Sequence, residues 1–597
     1  MTNVVVSVPA DVVFPGLDTS FESFSSIVRS LSRTDVLFWG ARLNLVLSNP
    51  AGPENLEIQR WAVSRFFAGP ELARLDQFAR DHRGAENVVV FSRAQLLELM
   101  RWTCLLGADQ PEDGVTFEDP DVRRRFAQAA MLAGDIWIAR TYADGLAVSN
   151  SKDRGADRIA AMHTFRRAIA ANQPATELMR GLARCTVIYD REFGRHHATF
   201  EADFLTATGL RVKEYAAFAC AMLSDFCAVT PETADQKPGM FKRDTVGDSL
   251  APAAAAAVPH FLALESQSPD ELRSRLLLPD GSVPGPMDPF DLKPLWERPI
   301  LVASDGRSIV MDPMICAEKT WVGPLFHLAG AHRQDSSRVN QLFTAFGNGF
   351  EVYVQGLLSH MWKETVPNPS RDDRGKQSEL ADAGVVLNES LLLFEAKGVF
   401  VRDDVTQRPA GYVEELRGKY VQKPGKAATP KGVGQLARGI RRIVADDYLA
   451  VAQDLATVRL VYPILVVRDA SMTTPGHVEF LAPEFVKALQ PDATATDGYM
   501  SVGRFRVAPL TVITIENLED LESSVESFHL PRFLDEYSRQ GVAGARPSLH
   551  EFMVSVQHRY RIIYSREVAR IAVDKMKEVG RFLFAERWAG ADADEDG

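Results

Sequence analysis

The stretch from Ser378 to Gly398 reads SELADAGVVLNESLLLFEAKG, two short apolar runs joined through Asn388–Glu389. Such runs suit buried strands, and an Asn at the join tolerates the backbone of a tight hairpin turn. Pairing across that turn places position 382 nearly opposite position 395. Side chains alternate along a strand, so Leu391, Leu393, Glu395 and Lys397 share one face while Leu392, Phe394 and Ala396 take the other. An acid-rich strand end inside an otherwise core-like hairpin is the strongest constraint on this chain.

Removing a lone charge from water costs on the order of several kcal/mol. Asp382 and Glu395, close together across the hairpin, repel one another unless a proton or a cation intervenes. A hard divalent ion such as Mg2+ resolves the conflict, because it takes oxygen ligands and commonly combines one or two carboxylates with water and substrate phosphate. A lysine beside them can orient or deprotonate the attacking water and offset charge that builds on the phosphate. Asp382, Glu395 and Lys397 therefore point to metal-assisted phosphodiester hydrolysis with Mg2+, or Mn2+ as a substitute. The plainer alternatives are a solvated ion pair at a strand end and a turn-capping aspartate.

Composition sets the frame. The chain has 597 residues, 46% of them hydrophobic and 24% charged, which is the balance of a globular protein. At about 150 residues per domain it holds two to four domains. The opening MTNVVVSVPADVV has no Lys or Arg and is broken by Pro9, unlike a secretory leader. The apolar stretch 251–264 is too short for a bilayer and contains Pro252 and Pro259. Both features point to a cytoplasmic protein. Cys104, Cys185, Cys220, Cys227 and Cys316 form no CxxC pair, which argues against a zinc ribbon or a disulfide framework. Adjacent His196 and His197, with Arg195 and Glu201 nearby, lack the spacing that aims two imidazoles at one ion.

A net charge of −12 disfavours nucleic acid as a partner. Local charge reverses that, since Arg417, Lys419, Lys423, Lys426, Lys431, Arg438, Arg441 and Arg442 follow one another without an intervening Asp or Glu. Lys419, Lys423, Lys426, Lys431, Arg438, Arg441 and Arg442 are the candidate nucleic-acid contacts. Pro424, Gly425 and Pro430 also fit a flexible, soluble loop.

Apolar spacings of three and four predict helices through most of residues 20–230, among them 93–107, 122–145, 156–173 and 212–226. Residues 229–297, rich in Pro, Ala, Ser and Asp, read as loops or a linker around short helices. RPILVASDGRSIVMDP at 298–313 reads as a bridging β-hairpin. From 338 the pattern turns to mixed α and β: one amphipathic helix over 339–362 or two joined near Gly347–Gly349, the hairpin, a helix over 432–455, a buried strand over 459–467, a strand over 505–515, and helices from Glu516 to about 588. The division is a helical domain at 1–230, a linker and bridging region at 231–337, an α/β domain at 338–590 and a disordered acidic tail at 591–597.

Asp382, a hairpin, then Glu395–Ala396–Lys397 resembles the PD-(D/E)xK nuclease superfamily, with Ala381 where a proline commonly precedes the aspartate. The resemblance covers roughly 340–470 and implies a restriction-endonuclease-like domain, a central mixed sheet flanked by helices. It implies that Asp382, Glu395 and the Ala396 carbonyl hold the metal, that Glu351 on the preceding helix assists, and that Gln435 on the following helix faces the substrate with Lys431 and Arg438. It further implies DNA rather than RNA as substrate, and endonucleolytic cutting. A large helical region fused to such a nuclease resembles prokaryotic antiviral or anti-plasmid defence effectors, the helical half sensing, recruiting a partner protein or forming homo-oligomers. A competing expectation is a nucleic-acid-binding or scaffolding protein whose nuclease fold does not cut.

Overall fold

A computed structural model of the chain describes residues 5–48, 56–82, 87–109, 118–150, 174–227, 240–242, 248–286, 288, 293–373, 376–401, 409–423, 429–445, 455–473, 475–495, 497–522, 524, 529–540, 549–560 and 565–588. The N-terminal half is helical. Its helices include Arg33–Leu47, Arg93–Leu106, Pro120–Asn150, Pro174–Cys185 (α1) and Val212–Cys227. Ser92 starts the second of these as a capping box, its hydroxyl accepting from Gln95 N while Gln95 Oε1 accepts from Ser92 N. A small parallel pair, Val5–Ser7 with Asn87–Val89, lies outside the expected pattern. The predicted helix at 156–173 lies outside the described residues. Among the described residues no helix is long and apolar enough to cross a membrane.

The C-terminal half is built on an eight-stranded mixed sheet: β1 (Val366–Pro367), β2 (Ala383–Leu387), β3 (Ser390–Lys397), β4 (Leu460–Val467), β5 (Ala493–Thr494), β6 (Met500–Val502), β7 (Phe505–Val507) and β8 (Thr511–Thr514). Its spatial order is β5-β6-β7-β4-β3-β2-β1, and β8 also pairs with β4. β2 and β3 form the expected hairpin, with Ala383 opposite Phe394 and Leu387 opposite Ser390. Asn388 takes φ 55°, the left-handed conformation that the turn requires. β3 runs parallel to β4 along its whole length, Ser390 to Lys397 against Leu460 to Val467.

Each face of this sheet is covered, so β4 and the Leu391–Phe394 stretch of β3 are apolar, as central parallel strands are. Leu392, Phe394 and Ala396 lie on one face with Phe346, Phe350 and Val354 of Ser336–Met361 (α2). Leu391 and Leu393 lie on the other, under Leu436, Ile440 and Ile443 of Val433–Val444 (α3) and Leu481 and Phe485 of Pro475–Leu489.

One expectation needs correction. The strand expected over 505–515 is two short strands, β7 and β8, paired in tandem along the same edge of β4. Pro509 between them has no N–H to give to a ladder, and the chain breaks its pairing there. The hairpin at 298–313 forms and belongs to a larger sheet. Ile300–Val302 and Arg307–Val310 are joined by Ser266–Gln267 and Met240–Lys242 into a four-stranded sheet, and Ile300, Leu301, Ile309 and Val310 belong to the main core. In the basic segment Pro409–Tyr420 is helix, Gln422–Lys423 pairs with Thr429–Pro430, and α3 follows, while Pro424 and Gly425 lie outside the described residues. That core also contains Leu37, Leu182, Phe261, Leu325, Phe350 and Leu583, so it draws on residues along most of the chain. A second cluster, including Phe24, Phe91, Trp102 and Phe126, stays within the first 140 residues. The tail at 591–597 lies outside the described residues.

Candidate active site

The hairpin register delivers what the alternation implied. Asp382 precedes β2, its N–H donating to the Phe394 carbonyl at 3.0 Å, and its Oδ2 accepts from Ala396 N at 2.6 Å. Lys397 pairs with Glu395 Oε1, lies 3.8 Å from Asp382 Oδ2, and donates to the Ala396 carbonyl at 3.2 Å. Glu395 is fully buried, and among the described residues its Oε2 has no hydrogen-bond partner.

Helix α2 packs on the opposite sheet face, yet Glu351 reaches the same end of the hairpin. Carboxylate oxygens of Glu351, Glu379 and Asp382 lie within 4.8 Å of one another. Glu379 was not singled out from the sequence. It ends the strand Lys376–Glu379, paired with Ser370–Asp373, and a lone polar residue ahead of LAD gives no periodic or motif signal. Gln355, one helical turn beyond Glu351, donates to Glu351 Oε1 at 3.2 Å and to the Asp382 carbonyl at 2.8 Å. The Asp382 carbonyl also accepts from Asn368 N at 2.9 Å.

Burial and crowding set the electrostatics. Burial, then the charges of Asp382 and Glu379, push Glu351 up to about 8. Burial raises Glu395 to about 8 against the opposing pull of Lys397. Asp382 and Glu379 are also raised, burial again leading. Burial works against the charge of Lys397, but Glu395 and Asp382 outweigh it and hold the amine above the ordinary lysine range. Lys397 is thus a cation here, suited to stabilising negative charge rather than to removing a proton.

Two packing arrangements fix the helices that flank these residues. Tyr353 on α2 donates to Glu519 Oε1 at 2.8 Å, and Glu519, on Ile515–Glu522 (α4), is held by the fully buried Arg184 of α1 through bonds of 2.9 and 2.8 Å. Arg184 also pairs with Glu516 at 2.8 Å and lies over the Trp321 ring. The helix bearing Glu351 is therefore anchored to the N-terminal half. On the other face, Gly439 of α3 lies against the Leu380 backbone, where an added Cβ would come within 2.1 Å of the Leu380 carbonyl oxygen. Only glycine lets α3 approach so closely to the segment carrying Glu379 and Asp382.

The remaining sequence candidates divide. Gln435 Oε1 accepts from Gly432 N at 3.0 Å, capping its own helix. Gln435, Arg438 and Arg442 follow one another at spacings of three and four, which is one helix face. Arg438 is exposed, and among the described residues neither it nor Lys431 has an ion-pair partner. Arg441 is exposed and donates to Gln490 Oε1 at 3.1 Å. Lys419 pairs with Glu415 at 3.5 Å and Arg417 with Glu484 at 3.1 Å, so the first part of the basic run is matched by acids from outside it. The side chain of Lys423 and all of Lys426 lie outside the described residues. His196 approaches Asn348 Nδ2 at 3.4 Å, Arg195 pairs with Glu192, and Glu201 accepts from Val212 N.

Comparison with family models, with curated proteins and with solved structures finds no match.

Proposed function

We propose that this chain is a metal-dependent nuclease that hydrolyses phosphodiester bonds in DNA, through a PD-(D/E)xK-type centre. The observation that carries the proposal is the meeting of Glu351, Glu379 and Asp382 within 4.8 Å, with Lys397 3.8 Å from Asp382. The order of elements supports it too: helix α2, the antiparallel hairpin, helix α3 and then β4 parallel to the hairpin's second strand.

The donor set fits a hard cation, being all oxygen and rich in carboxylate, and the buried Glu395 Oε2 is a further oxygen in want of a partner. Glu351, Glu379, Asp382 and Glu395 would hold Mg2+ or Mn2+, with the Ala396 carbonyl beside them. When bound, such an ion supplies concentrated positive charge that polarises a phosphate and acidifies water. Lys397, protonated, orients water by hydrogen bonding and balances charge on the phosphate oxygens. Arg438 on the exposed side of α3 and Lys431 just ahead of that helix offer phosphate contacts along a bound strand.

The test is Mg2+- or Mn2+-dependent cleavage of plasmid and linear DNA. Glu395→Ala and Lys397→Ala are each expected to lower the rate by about a hundredfold or more, with circular dichroism unchanged. Undiminished cleavage by both variants would overturn the site. A nucleic-acid-binding scaffold that does not cut draws on one observation, the full burial of Glu395. It would show as binding without cleavage in every metal condition.

A further inference from the structure

Asn368 lies between Pro367 and Pro369 and takes a left-handed φ of 44°. Its N–H donates to the Asp382 carbonyl at 2.9 Å, so its backbone is tied to the site strand. The outer atom of its amide lies 2.9 Å from Glu379 Oε1, 3.0 Å from Glu351 Oε1, 3.2 Å from the Asp382 carbonyl oxygen and 2.8 Å from Gln355 Nε2. With the carboxylates ionised, neither orientation of that amide satisfies all four neighbours. Turned with its nitrogen outward, Asn368 donates to both carboxylates but meets the Gln355 NH2, another donor. Turned with its oxygen outward, it accepts from Gln355 but faces two carboxylate oxygens. Gln355 cannot relieve the conflict by turning over, because its Nε2 already donates to the Asp382 carbonyl at 2.8 Å and to Glu351 Oε1 at 3.2 Å.

A cation among these oxygens removes the conflict. The Asn368 oxygen then accepts from Gln355 and faces positive charge together with Glu351 and Glu379. Ligands at right angles on Mg2+, each 2.0–2.1 Å from the ion, lie about 2.9 Å apart, which matches the 2.9 and 3.0 Å separations found here. The fully buried Glu395 Oε2, without a hydrogen-bond partner among the described residues, is a further oxygen left unmatched at this end of the hairpin beside Lys397. We propose that Asn368 is a ligand of the divalent cation, its side-chain oxygen held toward the ion by Gln355, which acts as a positioning residue. The inference rests on the metal-dependent reading above and adds two residues that the Asp…Glu-x-Lys pattern does not contain.

Mn2+ binding to the full chain, followed by electron paramagnetic resonance of the free ion and by titration calorimetry, tests it without reference to cleavage. Wild type should bind Mn2+. Asn368→Ala should bind about tenfold more weakly, and Asn368→Asp, which keeps an oxygen in place, should bind at least as tightly as wild type. Wild-type-like or tighter binding by Asn368→Ala would overturn the proposal, since an amide that only donates to the carboxylates competes with the cation and its loss helps binding. An equal loss in both variants would also overturn it, by assigning the effect to the loop instead of the oxygen. Absence of binding by wild type would instead bring down the metal-dependent reading itself.

Discussion

Glu351 and Glu395 are both pushed up to about 8, burial being the first cause for each. A cation therefore has to displace protons from them at neutral pH. Because a raised carboxylate pKa means the proton is held until pH approaches 8, Mn2+ affinity should rise from about pH 6 to about pH 8 and level off above it. The slope should reach about tenfold per pH unit for each proton displaced. Calorimetry in buffers of different ionisation enthalpy counts the released protons, and an affinity flat across that range would contradict the assignment. At this scale the sequence was legible where residues are linked by a strand's alternation: Asp382, Glu395 and Lys397 follow from the hairpin alone. Glu379 and Asn368 were not legible, because Glu379 ends a short strand with no motif around it and Asn368 sits in the bend ahead of that strand's partner.

At the scale of elements, placement depends on close packing rather than on pattern. α3 reads from sequence as a helix with a basic face, but its distance from the hairpin is set by Gly439 against the Leu380 carbonyl. Gly439→Ala should cost about 1–3 kcal/mol through overpacking, seen as a lower Tm, and should weaken Mn2+ binding by shifting the segment that bears Glu379 and Asp382. A variant with wild-type Tm and affinity would show that α3 is not held this way. The same contrast appears at the sheet edge. The run FRVAPLTVITI has the composition of one strand, and Pro509 divides it because a proline cannot donate to β4. α2 was expected as an amphipathic helix and is one, Ser336–Met361, but its anchorage through Tyr353, Glu519 and Arg184 joins residues 335 and 166 positions apart in the chain.

Across the whole molecule, the main core gathers Leu37, Leu182, Phe350, Ile464 and Leu583 into one cluster. Residues 338–590 expressed alone would therefore expose the α2 face that normally meets Thr186–Phe193, and should bind a hydrophobic dye and unfold without a cooperative transition. A soluble fragment with a sharp thermal transition would show that the C-terminal half folds independently. The local order of the chain already determined much of this protein. Helical periodicity marks the N-terminal half, the apolar runs flanking Asn388 mark the hairpin, and their alternation puts Glu395 and Lys397 on the face of Leu391 and Leu393. These are near-neighbour properties, fixed by backbone geometry over a few residues. Only the tertiary structure decided that Glu351 and Glu379 join Asp382, that Asn368 and Gln355 brace them, and that Glu395 is sealed from water. Those outcomes depend on long-range burial, which brings together side chains that no local spacing relates.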